Sequence, residues 1–96
     1  MVVLEHWAQS GFANTDLDAH LTQRGIEKLI LVGMVANTCV EGTARFGIEL
    51  GYHVTLMKDA TAAFSQEGMH AAHEVNGLRF AHAILTTEEL LALPPY

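Results

Sequence analysis

The chain has 96 residues and a net charge of −6 with only five Lys and Arg; half of its residues are hydrophobic and 17% are charged. That length holds one small domain, and the acidic balance argues against nucleic acid and against anionic membrane surfaces as partners. No apolar run approaches a membrane span, and a single cysteine excludes an intrachain disulfide and suits a reducing cytoplasm.

Met1 to Trp7 begins apolar at Val2, Val3 and Leu4 and reads as a short strand or the tail of one, so the chain looks cut. Glu5 and His6 lie close to Met1 with no basic segment, which argues against a signal peptide. Gln9 to Asn14 is a loop. Thr15 is the expected N-cap, with Asp18 three residues on, of a helix over about Asp16 to Gln23. Leu17 and Leu21 form its apolar stripe, and Gly25 stops it. Leu29 to Val32 is a continuous apolar run inside a strand over Lys28 to Gly33, of the kind covered on both faces.

Gly33 to Thr38 reads as a loop, and a helix opens on Cys39 and ends at Leu50 with Gly51 behind it. Val40, Thr43, Ala44 and Phe46 fall at helical spacing along it. The next strand is His53 to Met57, with Val54 and Leu56 on one face, closed by Lys58-Asp59 and a loop of small residues over Ala60 to Phe64. Ser65 caps a helix with Met69, Ala72 and Val75 as its inner stripe and Gly77 as its stop. Ala81 to Leu85 is the last strand. Thr86 or Thr87 caps a helix over Glu88 to Leu93, and Pro94-Pro95 closes the fold.

Strands alternating with helices indicate βαβ units, a parallel sheet and right-handed crossovers. Three good strands make a narrow sheet with an edge to cover. Together with the high apolar fraction, this predicts association, most simply as a homo-oligomer.

Cys39 stands at the carboxyl end of a strand and the amino end of a helix. Open α/β sheets place ligands there, and a helix N-terminus favours a thiolate. If the Cys39 amide and one from the preceding loop converge, they form an oxyanion hole; Asn37 and Thr38 could orient a substrate. The plain alternative is a buried structural thiol. Trp7 and Phe12 flank the Ser10 loop, where they either line an apolar pocket or cover the sheet edge. Glu41, in the first turn, serves the helix dipole. His70 and His73 are three apart on one helix, as metal ligands can be, but with no third ligand a solvated face is the simpler reading. Arg45 and Asp59 either pair across the sheet end or face solvent.

SGFANTDLD (Ser10 to Asp18) and RGIEKLILVGMVANTCVEGTARFGIELGYHVTLMKDATAAFS (Arg24 to Ser65) resemble the C-terminal half of the isochorismatase-like cysteine hydrolases, a family that includes isochorismatases, nicotinamidases and N-carbamoylsarcosine amidases. The resemblance implies a three-layer Rossmann-like α/β fold, a Cys39 nucleophile, an oxyanion hole from the Cys39 and Val35 amides, and a cis peptide at Met34-Val35. Two members of the family's Asp-Lys-Cys triad have no counterpart in the motif. The Asp belongs to the N-terminal half. Where the Lys stands, before Ser-Gly-Phe, this chain reads Leu4-Glu5-His6-Trp7-Ala8-Gln9. The regions that supply metal ligands in some members are likewise missing, so no metal and no cofactor is expected.

Residues 1–96 are thus expected to form a single partial isochorismatase-like domain lacking its N-terminal strands. Its function is expected to be hydrolysis of a small amide or related C–N or C–O substrate through Cys39. The alternative is a truncated, inactive α/β module that oligomerises.

Overall fold

Two glycines in left-handed backbone set where the first two helices end, in a computed structural model that describes residue 3 and residues 8–94. The strand expected over Met1 to Trp7 falls outside them except for Val3. Helix α1 spans Leu17–Gln23 and stops at Gly25, whose φ of +68° carries no Cβ penalty; the Ile26 amide then closes back on the Leu21 carbonyl at 3.0 Å. Helix α2 spans Glu41–Glu49 and stops at Gly51, φ +97°, with the Tyr52 amide returning to Gly47 O at 3.0 Å.

The N-cap of α1 is Asp16, one residue later than expected. Thr15 is drawn into the preceding loop instead. Its hydroxyl reaches Gly11 O at 2.7 Å and Phe12 O at 2.9 Å. Asp18 does not close a capping box; it accepts the Tyr52 hydroxyl at 2.5 Å. Burial and the Asp18 contact raise the Tyr52 pKa, so the phenol stays a donor.

The sheet has three parallel strands in the spatial order β1 (Lys28–Met34), β2 (His53–Ala62), β3 (Ala83–Leu85). Register runs Leu29 to Val54 and Leu31 to Leu56, then jumps to Gly33 opposite Thr61 and Met34 opposite Ala62. Strand β2 therefore runs well past Lys58-Asp59, which the sequence marks as its end. Both residues sit in an irregularity that the strand absorbs before pairing again. Asp59 has a distant partner: its carboxylate accepts the Thr87 amide at 2.9 and 3.0 Å and the Thr87 hydroxyl at 3.0 Å. Those bonds hold its pKa low. Arg45 lies elsewhere, on Glu41 at 3.2 Å and over the Phe80 ring at 4.7 Å, so the two do not pair with each other.

The core gathers on one face of the sheet. Phe12, Leu21, Val40, Ala44, Tyr52, Val54 and Leu56 are buried there, with Leu29, Leu31 and Ile84 packed against them. Phe46 of the expected α2 stripe is 40% exposed, and Gly47 takes the inner position, where a Cβ would already touch Phe12 and Val54.

Ser65 caps α3 (Gln66–His70) as expected, accepting the Gly68 amide at 3.0 Å. The helix does not stop at Gly77. It widens into a π-helical segment, Ala71–Asn76, and tightens into a 3-10 turn, Gly77–Arg79. Gly77 is helical, with φ −57°; what it supplies is closeness, since a Cβ there would meet Ala72 O at 2.5 Å and Ile84 Cδ1 at 3.0 Å. The inner stripe is accordingly Gly68, Ala72 and His73, while Val75 is 44% exposed. Strand β3 is shorter than expected because Phe80 and Ala81 close turns back onto Gly77. Thr86 is the cap of α4 (Thr87–Leu91), in a full capping box with Glu89 at 3.1 and 2.9 Å.

Candidate active site

Strand β1 carries the chain to the carboxyl end of the sheet, where Gly33 takes φ +120° and the Met34-Val35 peptide is cis. Val35 is the N-cap of a π-helical turn, Ala36–Val40, that runs directly into α2. Helical backbone thus begins at Ala36, three residues before Cys39, and not at the cysteine. The Val35 carbonyl accepts the Thr38 amide at 3.2 Å and, five residues on, the Val40 amide at 3.1 Å. Cys39 lies inside this wide first turn. Such single π turns within helices recur at functional sites.

Contacts on two sides fix the turn. The Thr43 hydroxyl donates to the Cys39 carbonyl at 2.8 Å and accepts the Gly11 amide at 2.9 Å, tying the Ser10-Gly11 loop to the cysteine. The Ser10 hydroxyl holds that loop by accepting the Phe12 and Ala13 amides at 3.0 and 3.3 Å. From the other side, α3 lies on Asn37: a Cβ on Gly68 would stand 3.2 Å from Asn37 Nδ2.

Cys39 is half-buried and opens on a cleft of about 170 Å³ lined by Gln9, Leu31, Val32, Met34, Val40 and Thr43. Thr38 Oγ1 lies 3.8 Å from Sγ. Among the described residues, no carboxylate, lysine or histidine lines the cleft. A larger cavity of about 570 Å³, with Asp18, Glu27, Lys28, Tyr52 and His53 in its wall, lies where the strands begin, at the opposite end of the sheet from Cys39.

The structure brings Val35, Thr38 and Cys39 into one turn and separates the other expected groups. Phe12 is 4% exposed and stacks on Tyr52 at 5.6 Å and Phe46 at 6.2 Å; it is a core ring and not a wall of the cleft. Asn37 faces α3. Trp7 lies outside the described residues. His70 is exposed while His73 is buried against Thr61, so they share no face and the solvated-face reading fails for His73. Sequence reasoning missed Gln9 and the hydroxyl of Thr43. The latter had a signal: a threonine four residues after another in a helix can return its hydroxyl to that carbonyl.

Comparison with known proteins places this geometry in company. A family model described as an isochorismatase domain matches residues 1–89. A ureidoacrylate amidohydrolase, RutB, of Acinetobacter baylyi is 41% identical over 75 residues, which is 78% of this chain and 31% of that protein. An uncharacterized isochorismatase family protein of Bacillus subtilis, YwoC, is 42% identical over 84 residues, 83% of this chain and 42% of its own length. Among solved structures, an isochorismatase family protein from Burkholderia thailandensis superposes with a TM-score of 0.86 at 31% identity, over 93% of this chain and 46% of that one. A pyrazinamidase/nicotinamidase from Streptococcus mutans gives 0.79 at 30% identity, over 84% and 45%. The chain spans less than half the length of each of these proteins.

Proposed function

This chain belongs to the isochorismatase family, and from that premise we propose that it carries the nucleophile half of a hydrolase site, with Cys39 attacking the carbonyl carbon of a small amide. The Cys39 thiolate adds to that carbon, and the carbonyl electrons move onto oxygen. The amides of Val35 and Cys39 hold the resulting oxyanion. Collapse expels the amine, which takes a proton, and leaves a thioester on Cys39. Water then releases the acid and the free thiol. Thr38, beside Sγ, orients the substrate; Gln9 supplies a second polar group at the mouth of the cleft. The cleft wall holds no acid or base among the described residues, so the proton is moved by a group outside that wall, supplied by this chain or by a second copy of it.

The observation that carries this reading is the placement of Cys39 in a π-helical turn at a strand end, open to a cleft. The names of the relatives suggest two substrates, ureidoacrylate and nicotinamide. The test is turnover of both by the chain and by its Cys39→Ala variant. Ammonia release from nicotinamide, or consumption of ureidoacrylate, is expected from the chain and absent from the variant. Equal turnover by the two, or none by either, removes Cys39 as the nucleophile of this chain.

One observation favours a second reading, a non-catalytic module that associates through β1. Along that strand Ile30, Val32 and Met34 are 41%, 60% and 67% exposed, an apolar row on a sheet edge. Sedimentation of the chain is then expected to show a dimer or larger species that Val32→Lys reduces to monomer; a monomeric parent chain sinks this reading.

A further inference from the structure

His73 is a buried polar residue that the chemistry above does not use. It is 3% exposed, on the π-helical segment after α3, and its Nε2 lies 2.8 Å from Thr61 Oγ1. The single hydroxyl proton of Thr61 already goes to the Met57 carbonyl at 2.8 Å. Thr61 can therefore only accept from the ring, which puts a proton on His73 Nε2, and burial keeps the ring neutral. That leaves Nδ1 a bare lone pair, buried and without a hydrogen-bond partner among the described residues. An apolar side chain of similar size would pack at position 73 without that unpaired atom, and Thr61 would keep its bond to Met57. Stability alone does not call for a histidine here.

What the ring holds is the far end of β2. The Thr61-to-Met57 bond closes the irregular stretch where β2 takes on extra residues. Thr61 stands opposite Gly33, and Ala62 opposite Met34, the first residue of the cis peptide. A shift of Thr61 is thus passed through two ladder positions to Val35, whose carbonyl anchors the turn that contains Cys39. We propose that His73, acting through Thr61, is a positioning residue for the Met34-Val35 turn and hence for the oxyanion site beside Cys39. This rests on the reading of Cys39 and Val35 given above and adds to it the group that sets their geometry. Burial also lowers the His73 pKa; Glu74 opposes that shift and Lys58 adds to it, and the neutral tautomer is the one that persists.

Two probes of the single thiol separate positioning from general loosening. p-Nitrophenyl acetate acylates Cys39 through a tetrahedral oxyanion: the thiolate adds to the ester carbonyl, nitrophenolate leaves, and a thioester remains. Iodoacetamide alkylates the same sulfur by displacing iodide and forms no oxyanion. The ratio of the two rates isolates the oxyanion site, with Cys39→Ala as background. In His73→Leu, acylation is expected to fall about tenfold with alkylation unchanged, a part of what removing one oxyanion donor costs. His73→Gln places an amide N–H near the Nε2 position and is expected to restore the ratio to within about twofold. The pH profile gives the last readout. Because Gln does not titrate and burial keeps His73 neutral below the ordinary histidine pKa of 6.5, the parent-to-Gln acylation ratio is expected to stay flat as pH falls through 6.5 and to drop only at lower pH. Unchanged acylation in His73→Leu, or acylation and alkylation falling together, overturns the proposal. A parent acylation-to-alkylation ratio no higher than that of a free thiol overturns the reading of the site itself, and the proposal with it.

Discussion

Strands β1 and β2 are neighbours with opposite fates. Strand β1 holds Leu29 to Val32, a continuous apolar run, yet only Leu29 and Leu31 pack into the core. Its alternate residues, Ile30, Val32 and Met34, stand open. Strand β2 is interrupted by His53, Thr55, Lys58 and Asp59, yet Val54, Thr55, Leu56 and Met57 are all at most 2% exposed. The central strand is buried on both faces, at Val54 and Leu56 on one and at Thr55 and Met57 on the other. The edge strand is covered on one. A strand's composition reports what its two faces are suited to, and its place in the sheet decides what they meet.

The comparison can be broken directly. Leu56→Ala on β2 is expected to cost about 3 kcal/mol, the usual loss for a buried leucine, and Val32→Thr on β1 less than about 0.5 kcal/mol. Urea unfolding of both variants measures this; equal losses would show that β1 is as covered as β2. A smaller effect sharpens the same contrast through pH. His73 has its pKa lowered by burial, so the unfolded chain binds the proton more tightly than the folded one. The stabilising contribution is fully present above 6.5 and is lost as pH falls through that value toward the lowered folded pKa. Unfolding midpoints compared between about pH 7.5 and about pH 5 should drop more in the parent chain than in His73→Leu. Identical slopes would mean that the ring beside β2 is wet.

Most of the fold was legible because its stops and starts are local. Gly25, Gly51, Ser65 and Thr86 each act on backbone within a few residues, and each does what its type predicts. The family motif likewise led to the cis peptide at Met34-Val35. What escaped was fixed by partners distant in sequence. Lys58-Asp59 looks like a strand end, but Asp59 is bonded to Thr87, 28 residues on. Gly77 looks like a helix stop, but it is small because the Ala72 carbonyl and the Ile84 side chain crowd it. Phe12 looks like a pocket wall beside Ser10, but Tyr52 and Phe46 draw it inward. At the site, the spacing located Cys39 but could not show that its turn is wound five residues deep or that Thr43 bolts it to Gly11.

The three strands lie in space in the order in which they occur in the chain. Leu29 pairs with Val54 and Thr55 with Ala83, so each ladder closes only the segment between consecutive strands. Among the described strands, no pairing waits for a strand to be threaded between two others. Assembly can therefore proceed from the synthesis of β1 onward, each crossover docking as it emerges, with loop-closure entropy paid in small steps. The last stretch of β2 is the exception. Gly33 and Met34 can meet Thr61 and Ala62 only after the irregular residues between are gathered, so the part of the ladder that frames Cys39 is the part whose register is hardest to find.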